Sequence, residues 1–146
     1  MDSRIEIWNV LHDGGITAFE GEEGETLTMF VSIPWLRRRL QPLGDSFVLT
    51  LTGLKRFEFH NFDDTVTPTR EEIDLGTPEI VSTRSEGMPI RIETTLGYLI
   101  LDFEAIRLAM DTGQEVKYET IKQVSKEYWT ELQAKADQAR RRVAGS

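Results

Sequence analysis

Cysteine is absent from this chain of 146 residues, and histidine occurs only twice. The first absence excludes disulfides, thiolate metal sites and cysteine nucleophiles together, and it fits a reducing compartment. The second leaves little material for acid–base or metal chemistry. Long apolar runs are missing too: none exceeds about five residues, against the ~20 that a membrane-spanning helix needs. The opening MDSRIEIWNV has no basic, apolar, small-residue order and so does not read as a signal peptide. These absences point to a cytosolic protein that makes no membrane contact. No repeat, low-complexity tract or linker divides the chain, so a single domain over residues 1–146 is expected.

What is present is the composition of a folded protein, with 39% apolar and 29% charged residues and length enough for a real core. The net charge of −8 hides an asymmetry. Residues 1–116 hold 21 acids and 10 bases, a balance of −11, whereas residues 117–146 hold 4 acids and 7 bases, a balance of +3. An acidic body is a poor match for a polyphosphate backbone and a good one for a basic protein.

Most of the chain reads as antiparallel β-structure with turn punctuation. RIEIWNVL predicts a first strand, and Asp13-Gly14-Gly15 a hairpin turn, with glycine supplying a positive φ, into GITAFEG. In TLTMFVSI, Leu27, Met29, Val31 and Ile33 share one face. Pro34 opens a short helical turn, PWLRRRL, that should bury Trp35, Leu36 and Leu40 and leave its arginines to surface carboxylates. Further strands are expected through Phe47, Leu49 and Leu51, through Phe57 and Phe59, and in EIVSTR, MPIRIETT and GYLILDFEAIRLAM. Asp63 to Pro78 reads as a long loop with an edge strand near Ile73 and Leu75. From about residue 114 to residue 143 the pattern changes. Ile121, Val124, Tyr128, Leu132, Ala136, Ala139 and Val143 follow helical spacing, with Thr112 and Glu115, or Thr120 and Gln123, as a capping box. The predicted fold is α+β: seven to nine mainly antiparallel strands (about residues 1–111), as a curled sheet or open barrel or sandwich, closed by one long C-terminal helix.

Few residues could carry chemistry. His12 and Asp13 are the first candidates, for a pocket or a metal, with His60, Asp63 and Asp64 as the remaining titratable groups. The second histidine lies 48 residues on and has no metal-binding motif around it, so no cofactor and no metal is expected. His60 shares a strand face with Arg56 and Glu58 and should look towards solvent. Trp35 with Arg37, Arg38 and Arg39 is a candidate anion or protein contact. Arg140, Arg141 and Arg142 complement the negative end of a helix dipole and need no ligand. The acidic clusters around Glu22 and Glu23 and around Asp63 and Asp64 lack calcium-loop spacing and read first as a solvated acidic rim and second as a docking face for a basic partner.

The order LHDGGI, then TLTMFVSI, then FVLTLTGLKRFEF resembles small β-rich bacterial families that open with a Trp and an "HDG-I" hairpin. Several of these are uncharacterised and others are suspected immunity proteins of toxin systems. The resemblance covers roughly a third of the chain (Ile7 to Phe59) and implies a cytosolic domain that acts by binding, with no catalytic residues. The leading expectation is therefore a non-enzymatic protein-binding domain, immunity-protein-like, its partner a basic protein or a second copy through the C-terminal helix. The alternatives are a small-molecule-binding or hydrolytic β-barrel with a polar pocket near His12 and Asn9, a homodimeric structural protein, and nucleic-acid binding through Arg37–Arg39. The acidic body argues against the last.

Overall fold

The computed structural model describes residues 2–21, 26–63, 65–66, 73 and 76–144. Eight strands form two antiparallel four-stranded sheets, with a long helix at the C-terminus. The sheets are separate and do not close into a barrel. One holds β1 (Gly15–Glu20), β2 (Thr26–Ser32), β3 (Ser46–Thr52) and β8 (Ala105–Met110), in that order. The other runs β4 (Arg56–Asn61), β7 (Gly97–Asp102), β6 (Ile90–Thr94) and β5 (Ile80–Thr83). The helices are α1 (Ser3–Val10), α2 (Pro34–Arg37) and α3 (Tyr118–Ala144).

The sheets are linked by the chain itself. β3 pairs with β8 in one sheet, and their continuations β4 and β7 pair in the other. The two strands cross between sheets side by side, where Glu104 N–H donates to Thr52 O (2.9 Å) and Lys55 N–H to Asp102 O (2.7 Å). The alternation expected for β2 and β3 holds: Leu27, Met29, Val31, Phe47, Leu49 and Leu51 are all fully buried. They share one core with Phe59, Ile90, Ile92, Leu99 and Leu101 of the other sheet, and with Trp8, Leu11 and Ile121 of the helical segments. GYLILDFEAIRLAM is two strands, β7 and β8, joined at Phe103 and Glu104.

The first element departs from expectation. RIEIWNV is helical, not extended. Its alternating isoleucines fit a strand, but Ile5, Trp8, Leu11 and Ile7 also fill one arc of about 160° at 100° per residue, and all four are buried. Asp2 caps the helix by accepting from Arg4 N–H at 2.9 Å. Asp13-Gly14-Gly15 is therefore a helix-to-strand junction and not a hairpin. The positive φ (69°) belongs to Asp13 itself. Gly14 is needed for proximity instead: a Cβ there would lie 2.6 Å from Val31 Cγ1 and 2.9 Å from Leu11 O.

Neither expected capping box is used. Thr112 donates its hydroxyl to Gln41 Oε1 (3.0 Å), Glu115 bridges to Ala109 on the edge of β8, and Thr120 lies inside α3. Of the 63–78 segment, Ile73 is buried in a helical conformation, not a strand, and Leu75 lies outside the described residues.

Three sheet edges are covered in part. Residues 114–116 pair back on β8, through Met110 N–H to Gln114 O (2.8 Å) and Val116 N–H to Leu108 O (3.0 Å). The start of β1 meets the start of β5 through Ile80 N–H to Gly14 O (2.8 Å) and Ile16 N–H to Pro78 O (2.8 Å). On β5, Asn9 of α1 stands in for a neighbouring strand: its carboxamide accepts from Thr83 N–H (2.9 Å) and donates to Thr83 O (3.2 Å). Edges covered this way resist pairing with other chains.

Asn9→Ala removes both bonds and leaves a half-buried N–H unsatisfied, an expected loss of about 1–3 kcal/mol. Urea denaturation should read that loss, and amide exchange at Thr83 should accelerate. Unchanged exchange at Thr83 would show that Asn9 does not hold the β5 edge.

Candidate functional site

The candidate residues separate into three environments. Arg37 belongs to the interior. Expected at the surface with its neighbours, it is fully buried, while Arg38 and Arg39 stay exposed. The single turn of α2 points it inward beside Leu36, and every nitrogen of its guanidinium has a partner. Nε donates to Asp111 Oδ1 (3.0 Å) and Ser46 O (3.2 Å), Nη1 to Gln41 O (3.2 Å) and Nη2 to Leu43 O (2.8 Å). Nη2 also lies 2.8 Å from Asp111 Oδ1 in the ion pair. The other carboxylate oxygen of Asp111 accepts from Asp45 N–H (2.9 Å) and Ser46 N–H (3.2 Å).

Burial acts to raise the Asp111 carboxyl. The Asp45 N–H, the Arg37 guanidinium and the Ser46 N–H outweigh it and hold the group below its ordinary value. Gly44 (φ 97°) closes the network: a Cβ there would overlap Asp111 Oδ1 and lie 2.7 Å from Arg37 Nη2. With its donors spent on carbonyls and one carboxylate, Arg37 holds structure together and offers nothing to a ligand.

His12 and Trp35 meet on α3. The His12 ring stacks on Trp129 (centroids 5.1 Å apart, 21° between planes), and its Nδ1 lies 2.8 Å from Asn9 O. Trp35 stacks on Tyr128 (4.3 Å, 27°) and meets Trp129 edge-on (5.6 Å, 76°). Arg39 stands over the Tyr128 ring at 5.0 Å and bonds Glu131 Oε2 at 2.5 Å. That bond raises the Arg39 guanidinium and lowers the Glu131 carboxyl from their ordinary values. Two sequence patches about 20 residues apart thus become one aromatic seat for a helix. Contacts of this kind contribute about 0.5–1.5 kcal/mol each beyond burial. Asp13 is exposed, with its carboxylate 3.9 Å from His12 Nε2. The groups that a pocket near His12 would use are already engaged: Asn9 by Thr83, and His12 by Asn9 and Trp129.

The acidic candidates divide as well. Asp63 accepts from Thr65 N–H (3.1 Å) and hydroxyl (2.6 Å), which lowers its carboxyl. Glu22, Glu23 and Asp64 lie outside the described residues. No group of three potential metal ligands occurs among the described residues. His60 does share a face with Arg56 and Glu58, but it is half-buried, stacked on Tyr98 (4.7 Å) and 2.9 Å from Glu58 Oε1. Arg91 lies 3.7 Å from the Tyr98 ring centre. A shallow groove of about 600 Å³ runs past Val81, Arg84, Arg91 and Glu93 at the β5 edge.

The outer half of α3 is the most extended exposed surface among the described residues. Every residue from Trp129 to Ala144 is exposed except Ala136 and Asp137, which are half-buried. Leu132 is 43% and Val143 77% exposed. The helical spacing was legible. That the body ends near Trp129 was not, because it follows from sheet packing. No helix among the described residues is long and apolar enough to cross a membrane.

Arg37→Met removes the ion pair with Asp111 and the donors to Ser46 O, Gln41 O and Leu43 O, and should cost about 1–3 kcal/mol, lowering Tm by roughly 5 °C. Arg38→Met, at an exposed position, should stay within about 0.5 kcal/mol of wild type. Equal effects would contradict the structural role of Arg37. Asp111 has a lowered folded value, so its ionised form contributes stability above about pH 4, and that contribution is lost as pH falls through the folded value. Asp111→Asn should therefore be less stable than wild type at neutral pH, the gap in urea midpoint narrowing below about pH 4. A gap that stays constant on acidification would refute this.

No protein-family model matches the chain, and no curated protein or solved structure is significantly similar to it.

Proposed function

We propose that this protein is a non-enzymatic protein-interaction domain whose docking element is the outer half of α3. One observation carries the reading: the apolar stripe of α3 continues along the helix after the body has ended. Within the body the stripe is spent on Ile121, buried, and on Val124 and Tyr128, half-buried. Trp129 spends part of its surface on His12 and Trp35, and from Leu132 onwards the stripe is exposed except at Ala136, which is half-buried. Twenty-seven residues make a helix of about 40 Å at 1.5 Å per residue, and an isolated apolar side chain on a surface is ordinary where a spaced row is not.

Other features support a binding rather than a chemical role. Buried Arg37, paired with Asp111, and the His12 ring are occupied in holding the fold. The resemblance to the HDG-I families points the same way, towards a cytosolic domain that acts by binding, although the residues that carry it form a helix-to-strand junction here. The acidic body leaves a basic partner as a second reading, supported by the balance of −11 over residues 1–116.

Leu132→Glu with Ala139→Glu changes two exposed positions. Each should alter stability by no more than about 0.5 kcal/mol. Affinity capture from the source cells with wild type and double variant side by side should then give a protein retained by the first and lost by the second. A partner retained equally by both would remove α3 as the docking element.

A further inference from the structure

The stripe on outer α3 has a spacing and a border that narrow what can cover it. Trp129, Leu132, Ala136, Ala139 and Val143 follow at intervals of three, four, three and four, the spacing of a coiled-coil seam. With Trp129, Ala136 and Val143 at a positions and Leu132 and Ala139 at d positions, the flanking e and g positions hold Lys126, Tyr128, Gln133, Lys135, Arg140 and Arg142. Four of the six are cations and none is an acid. The acids of the same stretch, Glu127, Glu131 and Asp137, fall at f, c and b positions, off the seam. Glu131 is committed to Arg39, and Asp137 lies 3.8 Å from Arg140.

We infer that outer α3 docks an amphipathic helix with acidic flanks, supplied by another protein, to form a short two-stranded coiled coil. The inference rests on the reading of α3 as the docking element and adds the chemistry of the partner. Electrostatic pairing across e and g positions sets partner choice in such assemblies. A second copy is opposed on that ground. Parallel pairing would set Lys135 against Arg140 of the other copy, and antiparallel pairing would set e against e and g against g, again placing cations together. A nucleic acid would satisfy the cations but leave the apolar row between them uncovered. An acidic-flanked helix satisfies both, and Ala136 and Ala139 allow its backbone to approach closely.

The test uses the full chain and two labelled synthetic helices of about three heptads, with leucine at a and d and either glutamate or lysine at e and g. Fluorescence anisotropy should show the acidic peptide binding at least about tenfold more tightly than the basic one, with affinity falling as salt rises from about 50 to about 300 mM. Leu132→Glu should abolish that binding, and Lys135→Glu with Arg140→Glu and Arg142→Glu should reverse the preference. Equal binding of both peptides, lost in Leu132→Glu, overturns the charge inference and leaves the docking element standing. Concentration-dependent self-association in sedimentation, also lost in Leu132→Glu, overturns it in favour of a second copy. Binding of a single-stranded oligonucleotide that survives Leu132→Glu overturns it in favour of a polyanion. A monomer that binds neither peptide overturns both the inference and the reading of α3.

Discussion

The ion pair between Arg37 and Asp111 fixes the geometry on which the helical end of the molecule depends. Arg37 is on α2, Asp111 directly follows β8, and their shared bonds reach the 41–46 segment that leads into β3. One guanidinium thus ties α2 and two strands of the first sheet. A buried guanidinium is expensive to desolvate, and such a pair is not in general a source of stability beyond what apolar packing would give. Its effect here is positional. With Arg37 held inward, Trp35 and Arg39 point to the opposite side of the turn, where they meet Tyr128 and Glu131.

The direction of α3 follows from that arrangement. Ile121 and Ser125 are buried against the body, and the stacked rings of Trp35, Tyr128, Trp129 and His12 form the last broad contact before the helix becomes exposed on all sides. The β8 edge is taken by residues 114–116, the β5 edge by Asn9, and β4 by the bond from Asn61 N–H to Thr65 O at 2.8 Å. Strand addition, one way for a β-protein to recruit a peptide through its backbone, finds those edges occupied in part. Leu43, Phe62 and Leu96, also exposed, lie on separate loops, and Val81 is exposed on β5.

Sequence patterning disclosed the sheets and the long helix because one physical rule governed each. β2 and β3 bury one face, so period two is clean, and the first turns of α3 bury one stripe. RIEIWNV escaped because an isoleucine every second residue satisfies a strand, while the same residues with Trp8 and Leu11 fill a helical arc. The N-cap Asp2, two residues before Arg4, was the local signal for the second choice. Arg37 escaped for a different reason. Three successive arginines look alike in sequence, and which one faces inward depends on the phase of α2 and on Asp111, 74 residues away. The same distance problem hid the meeting of His12 with Trp129 and of Trp35 with Tyr128, which is created only when α3 crosses the end of the body.

Net charge is a poor guide to the partner of such a molecule, because the acidic and basic parts are segregated. A chain at −8 would be assigned a basic partner if its charge were uniform. The twelve residues beyond Leu132 extend about 18 Å along the helix axis, whereas the Debye length at physiological salt is about 8 Å. An acidic helix lying on outer α3 is therefore largely screened from the carboxylates of the body and remains within reach of Lys135, Arg140 and Arg142. The length of α3 then has a physical consequence beyond supplying apolar contact. A shorter helix would hold its seam inside the negative field of the body, where an acidic partner is repelled. Length, rather than composition alone, lets an acidic chain carry a cationic helix face away from its body, which is the condition the proposed docking requires.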